Sequence, residues 1–318
     1  MPSLALVVPP TPDERWHLAA QMGVTDAVIH SFEIGDGTQF WEYDQLLKVK
    51  NWLEEVGLRL SVVEGSVPLT DTTRLGLEGR NREISEFKRF LRGCGELDIP
   101  VVCYDWMAGI RWARTNAHVE SRSGSLVTAY DNERMRGGPP PEAADVSSEE
   151  LWENLEYFLK TVVPVAEEAG VKLGLHPDDP PRDEVRGIPR IVNSVEAHQR
   201  ALDIYDSEYN GVTFCQGNFA AMDADIPNAI RRVGERINFV HFRDVRGDPD
   251  QFVETWHDDG PTDMLAAMRA YRDIGFSGPM RPDHVPTMAG EDNSNPGYHT
   301  NGRLFAIGYM KGLLEQAQ

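Results

Sequence analysis

Short apolar runs of three to six residues alternate along this chain with longer stretches whose apolar positions recur at helical spacing. The first run, at 4–8, stops at Pro9-Pro10. Thr11-Pro12-Asp13-Glu14 follows and supplies an N-cap, a proline at the first helical position and a glutamate three residues on from the cap. Trp16, Ala19, Ala20 and Met22 carry the helical period, and Gly23 closes it. The same unit repeats to the end of the chain. The pattern predicts strands at 4–8, 27–29, 58–63, 101–104, 171–175, 212–214, 237–241 and 279–281. Helices are expected at about 11–22, 43–56, 81–97, 147–170, 194–205, 226–234, 263–273 and 303–315.

Eight strands alternating with helices predict an α/β chain folded as one (β/α)8 TIM barrel over 1–318, rather than an open doubly wound sheet. No GxGxxG or Walker pattern follows the first strand, which argues against a nucleotide-binding fold. The stretch at about 114–146, with Gly137-Gly138-Pro139-Pro140-Pro141 inside it, carries neither period. It follows the fourth strand and reads as a poorly structured insertion at the catalytic face, a lid or a subunit contact.

Charge narrows the partners. Lys and Arg number 31 against 51 Asp and Glu, a net charge of −20 that repels phosphate backbones and excludes nucleic acid. No run reaches the roughly 18–20 apolar residues of a membrane span. Met1 leads into Pro2-Ser3 with neither a basic region nor a small-residue cleavage site, so a cytoplasmic protein is expected. Six lysines among so many arginines fit either adaptation to high salt, where like charges are screened, or a GC-rich coding sequence. Three cysteines, Cys94, Cys103 and Cys215, without CxxC spacing, exclude a disulfide framework and a cysteine-rich zinc site.

A barrel places its chemistry at the C-terminal ends of its strands. There the sequence sets His176 at strand five, Cys215 at strand six, His241 at strand seven and Asp283 at strand eight. Two imidazoles, a thiolate and a carboxylate on four successive strands form a candidate site for one divalent metal; thiolate suits zinc or iron, and carboxylate with imidazole accepts manganese. Asp178, Arg243, Arg281 and His257 lie beside these ends as candidate substrate-binding residues, the arginines having the planar fork that pairs with a carboxylate.

His176-Pro177-Asp178-Asp179-Pro180-Pro181, Arg281-Pro282-Asp283-His284 and Asn295-Pro296-Gly297-Tyr298 together resemble the mannonate dehydratases of the xylose isomerase-like barrel group. Gly187-Ile188-Pro189-Arg190-Ile191-Val192 and Gly302-Arg303-Leu304 extend the resemblance, which is densest over 150–315. It implies dehydration of D-mannonate to 2-keto-3-deoxy-D-gluconate in hexuronate breakdown. It also implies manganese, with iron, cobalt or zinc as alternatives, on the four strand-end residues, and His284 with Tyr298 as the proton-transfer pair. The expected partner is a small sugar acid, and the expected assembly a homo-oligomer. Two other readings share these residues: a metal-dependent sugar isomerase or epimerase, which would conserve the mass of its substrate, and a metal-binding barrel without catalysis. One geometric condition follows. Neighbours on a strand point to opposite faces, so Asp283 and His284 can serve one site only if the chain leaves strand geometry there.

Overall fold

The computed structural model describes residues 1–30, 41–65, 68–137 and 141–317. Eight parallel strands occupy the expected positions: β1 (Ser3–Val7), β2 (Asp26–His30), β3 (Arg59–Glu64), β4 (Val101–Asp105), β5 (Lys172–His176), β6 (Asn210–Cys215), β7 (Ile237–Phe242) and β8 (Pro279–Pro282). Each pairs with the next, and β8 pairs with β1 to close the barrel. Along β1 the pleat sends Ala5 and Val7 into the barrel, where they meet Val28, Val62, Val101, Cys103 and Phe239. Leu4 and Leu6 face outward and join the larger core beneath the helices. Gly174 lets β5 approach β6 closely, since a Cβ there would collide with Thr213 Oγ1.

Helices cover the outside, several of them started by a side-chain cap. Ser147 and Glu150 form both bonds of a capping box ahead of the helix Ser148–Ala169. The first helix differs from its sequence signal. Asp13, not Thr11, is its N-cap, with the carboxylate accepting from the Arg15 amide at 2.9 Å, and the helix runs Glu14–Gln21. Pro12 therefore stands outside the helix, because the aspartate supplies the cap nearer the first turn. No helix among the described residues is long and apolar enough to cross a membrane.

The segment after β4 is more ordered than its lack of period suggested. Strands Asn116–Glu120 and Leu126–Asp131 pair antiparallel, and Gln251–Glu254 and Val245–Gly247 from the loop after β7 complete a four-stranded sheet. Leu126 also bridges to Thr287 in the loop after β8. The alternation was hidden because Asn116–Glu120 buries none of its side chains fully and so carries no apolar face. Gly138–Pro140 of the Gly-Pro run lie outside the described residues.

Candidate active site

Strand register sets polar side chains at one level around the barrel mouth. His30 of β2 lies opposite Glu64 of β3, and Glu64 opposite Cys103 of β4. Asp105 lies opposite His176, Cys215 opposite His241, and His241 opposite Arg281. A register shift between Val212 and Thr213 slides the end of β6 along β7 and brings Cys215 level with His241. β8 ends at Pro282, so Asp283 and His284 are free of the pleat and both line the same cavity. That cavity measures about 140 Å³ and is walled also by His176, His241, Asp179 and Tyr298.

His176, Cys215 and His241 can each offer a ligand atom within 4.8 Å of the others. Asp283 stands beside them, with Oδ2 at 3.7 Å from Cys215 Sγ and 3.8 Å from His241 Nδ1. The Pro177 carbonyl lies 2.6 Å from His176 Nδ1, which places the proton there and leaves Nε2 as a lone-pair donor. His241 is buried between two carboxylates, with Nε2 3.4 Å from Glu64 Oε1 and Nδ1 3.8 Å from Asp283 Oδ2. This set of nitrogen, sulfur and oxygen donors fits a divalent transition metal. Glu64, Cys103 and His241 make a second trio of the same compactness, which the sequence reading did not anticipate. In that trio Glu64 is gripped by Arg281 at 2.7 and 3.0 Å. Burial and the Glu64 charge also push the Cys103 thiol well above its usual range, which disfavours the thiolate a metal needs.

Asp283 is buried, yet the charges of His284, Arg281 and Arg243 hold its carboxyl well below the usual range. Arg281 Nη1 reaches one oxygen at 2.8 Å and Arg243 Nε the other at 2.7 Å.

A second line of contacts runs through His284. Its Nε2 lies 3.2 Å from the Tyr298 hydroxyl, and its Nδ1 lies 2.9 Å from Glu254 Oε1. The Glu254 carboxylate can only accept, so Nδ1 carries the proton and Nε2 accepts from the Tyr298 O–H. Glu254 is fixed in turn by Arg243 at 2.6 Å and by Arg114 at 2.6 Å. Both arginines also hold Asp179, at 3.0 Å and 2.6 Å. Trp112 covers the group, with its ring centroid 5.2 Å from that of His284. Burial raises the Tyr298 pKa, helped by the charges of Asp283 and Glu64, while Arg281 and Arg303 oppose them.

The other expected substrate contacts are placed differently. Arg281 lines the cavity, but its fork is occupied by Glu64 and Asp283. Arg243 is buried behind the cavity wall and ties Asp179, Glu254, Asp283 and Asn218 together. Asp178 turns away and accepts from the Val192 amide at 2.7 Å, while its neighbour Asp179 lines the cavity. His257 is buried, with Nε2 2.8 Å from the Phe242 carbonyl, and burial lowers its pKa to about 4. Its ring therefore braces the end of β7 and does not reach the cavity. Glu254, Arg114 and Glu64 carry no signal in the sequence that marks them for the site.

A closed (β/α)8 barrel with a metal-competent donor set and a hydrogen-bonded histidine–tyrosine pair at its C-terminal mouth defines a barrel enzyme of the kind that works on small polar molecules. Its fold is shared with a D-tagatose 3-epimerase-like protein at 15% identity and a TM-score of 0.66, covering 99% of this chain and 98% of that one. A family model described as D-mannonate dehydratase (UxuA) matches residues 16–143 and 141–318. The mannonate dehydratase of Thermotoga maritima is 36% identical over 330 residues, 92% of this chain and 91% of that protein. The crystal structure of mannonate dehydratase from Streptococcus suis serotype 2 aligns with a TM-score of 0.91 at 33% identity, covering 100% of this chain and 95% of that one. The chain belongs to the D-mannonate dehydratase family.

Proposed function

We propose that this protein dehydrates D-mannonate to 2-keto-3-deoxy-D-gluconate. In this reading one divalent metal, manganese, is held by His176, Cys215, His241 and Asp283, and Tyr298 and His284 move the protons. The observation that carries it is the Tyr298–His284 hydrogen bond of 3.2 Å, in the wall of the cavity that His176, His241 and Asp283 also line. When bound, the cation supplies positive charge against the substrate carboxylate and the negative charge that develops at C2.

The protein's own groups do the rest. At rest the phenol is protonated, its pKa raised by burial. Passing its proton to His284 Nε2 creates a phenolate and an imidazolium together, and the Glu254 carboxylate at Nδ1 stabilises the imidazolium. The phenolate takes the C2 proton, the C3–O bond breaks, and the imidazolium protonates the departing hydroxyl to give water. The enol left behind loses its C2 hydroxyl proton and gains one at C3, which gives the 2-keto-3-deoxy acid with no net change in protons. Tyr298 and His284 return to their starting protonation states.

The test is product mass and hydrogen exchange. Manganese-loaded protein with D-mannonate should give a product lighter by one water, whereas an unchanged mass would favour an isomerase. Tyr298→Phe and His284→Asn should keep the metal and lose activity by roughly 10²-fold or more. Tyr298→Phe should abolish exchange of the C2 proton with deuterated solvent. Exchange lost in His284→Asn but kept in Tyr298→Phe would reverse the two roles.

A further inference from the structure

The cavity that holds the acid–base pair is small for a six-carbon acid. At about 140 Å³ it falls below the roughly 300–1,000 Å³ of most ligand pockets. Next to it, sharing Tyr298 and Trp112 as a common wall, lies a cleft of about 460 Å³. Its lining comes from the end of β1 and the chain after it, the end of β2 and the first turn of the helix Thr300–Gln316, with Arg15, His30 and Arg303 among its polar side chains.

Arg303 is the unusual member. It is only 7% exposed, and no carboxylate among the described residues pairs with it. One Nη1 donates to the Val7 carbonyl at 2.8 Å, and the guanidinium lies 5.2 Å from the centre of the Tyr298 ring. A buried guanidinium is ordinarily paired, because desolvating an unpaired charge is costly. Burial brings its pKa down to about 10, which leaves it charged at neutral pH. Its remaining N–H donors lie at the border between cleft and catalytic cavity, and among the described residues no acceptor other than the Val7 carbonyl meets this guanidinium. Arg15 on the outer side is 41% exposed and paired with Asp13, and His30 Nε2 stands 3.7 Å from Glu64, so both are already partnered.

We propose that this cleft is the subsite for the C4–C6 end of a six-carbon sugar acid, with Arg303 donating to its hydroxyl oxygens. The proposal rests on the dehydratase reading above, in which C1 to C3 occupy the catalytic cavity. Carbons beyond C3 must then leave past Tyr298 and Trp112, and Arg303 is the donor they meet. Arg303 is thus a specificity residue for chain length that stands behind the Tyr298 ring, 5.2 Å from its centre.

The experiment compares two acids on wild type, Arg303→Met and Arg303→Lys. The first is D-mannonate, read as kcat/KM. The second is a four-carbon 2,3-dihydroxy acid of the same C2 and C3 configuration, read as an inhibition constant against D-mannonate, so that it need not turn over. Arg303→Met should lower kcat/KM for D-mannonate roughly 10- to 100-fold, the scale of a lost hydrogen bond to a charged group. Inhibition by the four-carbon acid should stay within about threefold of wild type. Arg303→Lys should fall between wild type and Arg303→Met. Equal weakening of both acids in Arg303→Met, or full D-mannonate activity in it, would overturn the subsite. If Arg303→Met does not fold, Arg303→Lys decides by the same ratio. Wild type that leaves D-mannonate unchanged in mass would instead overturn the dehydratase reading.

Discussion

Replacing Glu254 with glutamine tests whether His284 is held by a charge. Glu254 faces Arg243, Arg114 and His284 at once, all within 2.9 Å. A glutamine keeps the shape but must turn its amide N–H2 toward a donor, either a guanidinium or His284 Nδ1–H. Breaking a buried ion pair by removing one partner costs about 3–5 kcal/mol. At about 2.1 cal/mol/K of unfolding entropy per residue, 318 residues give roughly 0.7 kcal/mol per degree, so the melting temperature should fall by about 5–7 °C. Turnover should fall by roughly 10²-fold, since the imidazolium loses its counter-charge.

The pH dependence supplies the sharper check. Glu254 is buried, but Arg243, His284 and Arg114 hold its pKa far below the ordinary carboxylate range. A depressed folded-state pKa contributes stability that is complete above the unfolded value of about 4.3 and is lost as pH falls toward the folded value. The gap between wild type and Glu254→Gln should be constant from pH 5 to 7. By pH 3.5 it should have narrowed by about 1 kcal/mol, read by differential scanning calorimetry. A gap of equal size at pH 3.5 and pH 7, or a variant with wild-type turnover, would refute the reasoning.

Three further outcomes are expected. Cys215→Ala and His241→Ala should lose bound manganese, measured by elemental analysis, while Cys103→Ala keeps it; loss in Cys103→Ala alone would move the site to the second trio. Burial raises the Asp178 pKa to about 6, so its ionisation opposes folding increasingly as pH rises from about 4 through 6. Asp178→Asn, whose amide oxygen can still accept from Val192, should therefore match or exceed wild type in melting temperature above pH 6, and a lower value there would show that the charge is needed. With a net charge of −20, the melting temperature should hold or rise as ionic strength increases toward molar salt, and a maximum at low salt would leave coding bias as the explanation of the arginine excess.

The barrel was legible because each strand is an apolar run bounded by turn residues and followed by a helical period. The strand-end residues were legible for a related reason: a histidine, cysteine or aspartate that ends an apolar run in a barrel has few places to go other than the mouth. Glu64 escaped by one position, since the apolar run stops at Val63 while the strand continues through Glu64. Asp178 and Asp179 are chemically identical neighbours, and only the path of the loop decides which one faces inward. Arg114 and Glu254 are 140 residues apart, and nothing local marks either as the other's partner. His257, in a polar His-Asp-Asp-Gly loop, gave no sign that it would be buried against a backbone carbonyl.

The small antiparallel sheet over the barrel mouth has a consequence for how this molecule can change. In most barrels of this kind each loop can lengthen or shorten independently, and new chemistry arises by varying them one at a time. Here the loops after β4, β7 and β8 share backbone hydrogen bonds: Phe252 is in register with Tyr130, and Leu126 exchanges bonds with Thr287 at 3.0 and 2.8 Å. A one-residue insertion in any of them would shift the pairing of the others and turn Glu254 away from His284. Three of the eight loops are in effect a single heritable unit, and diversification should concentrate in the loops this sheet leaves untouched.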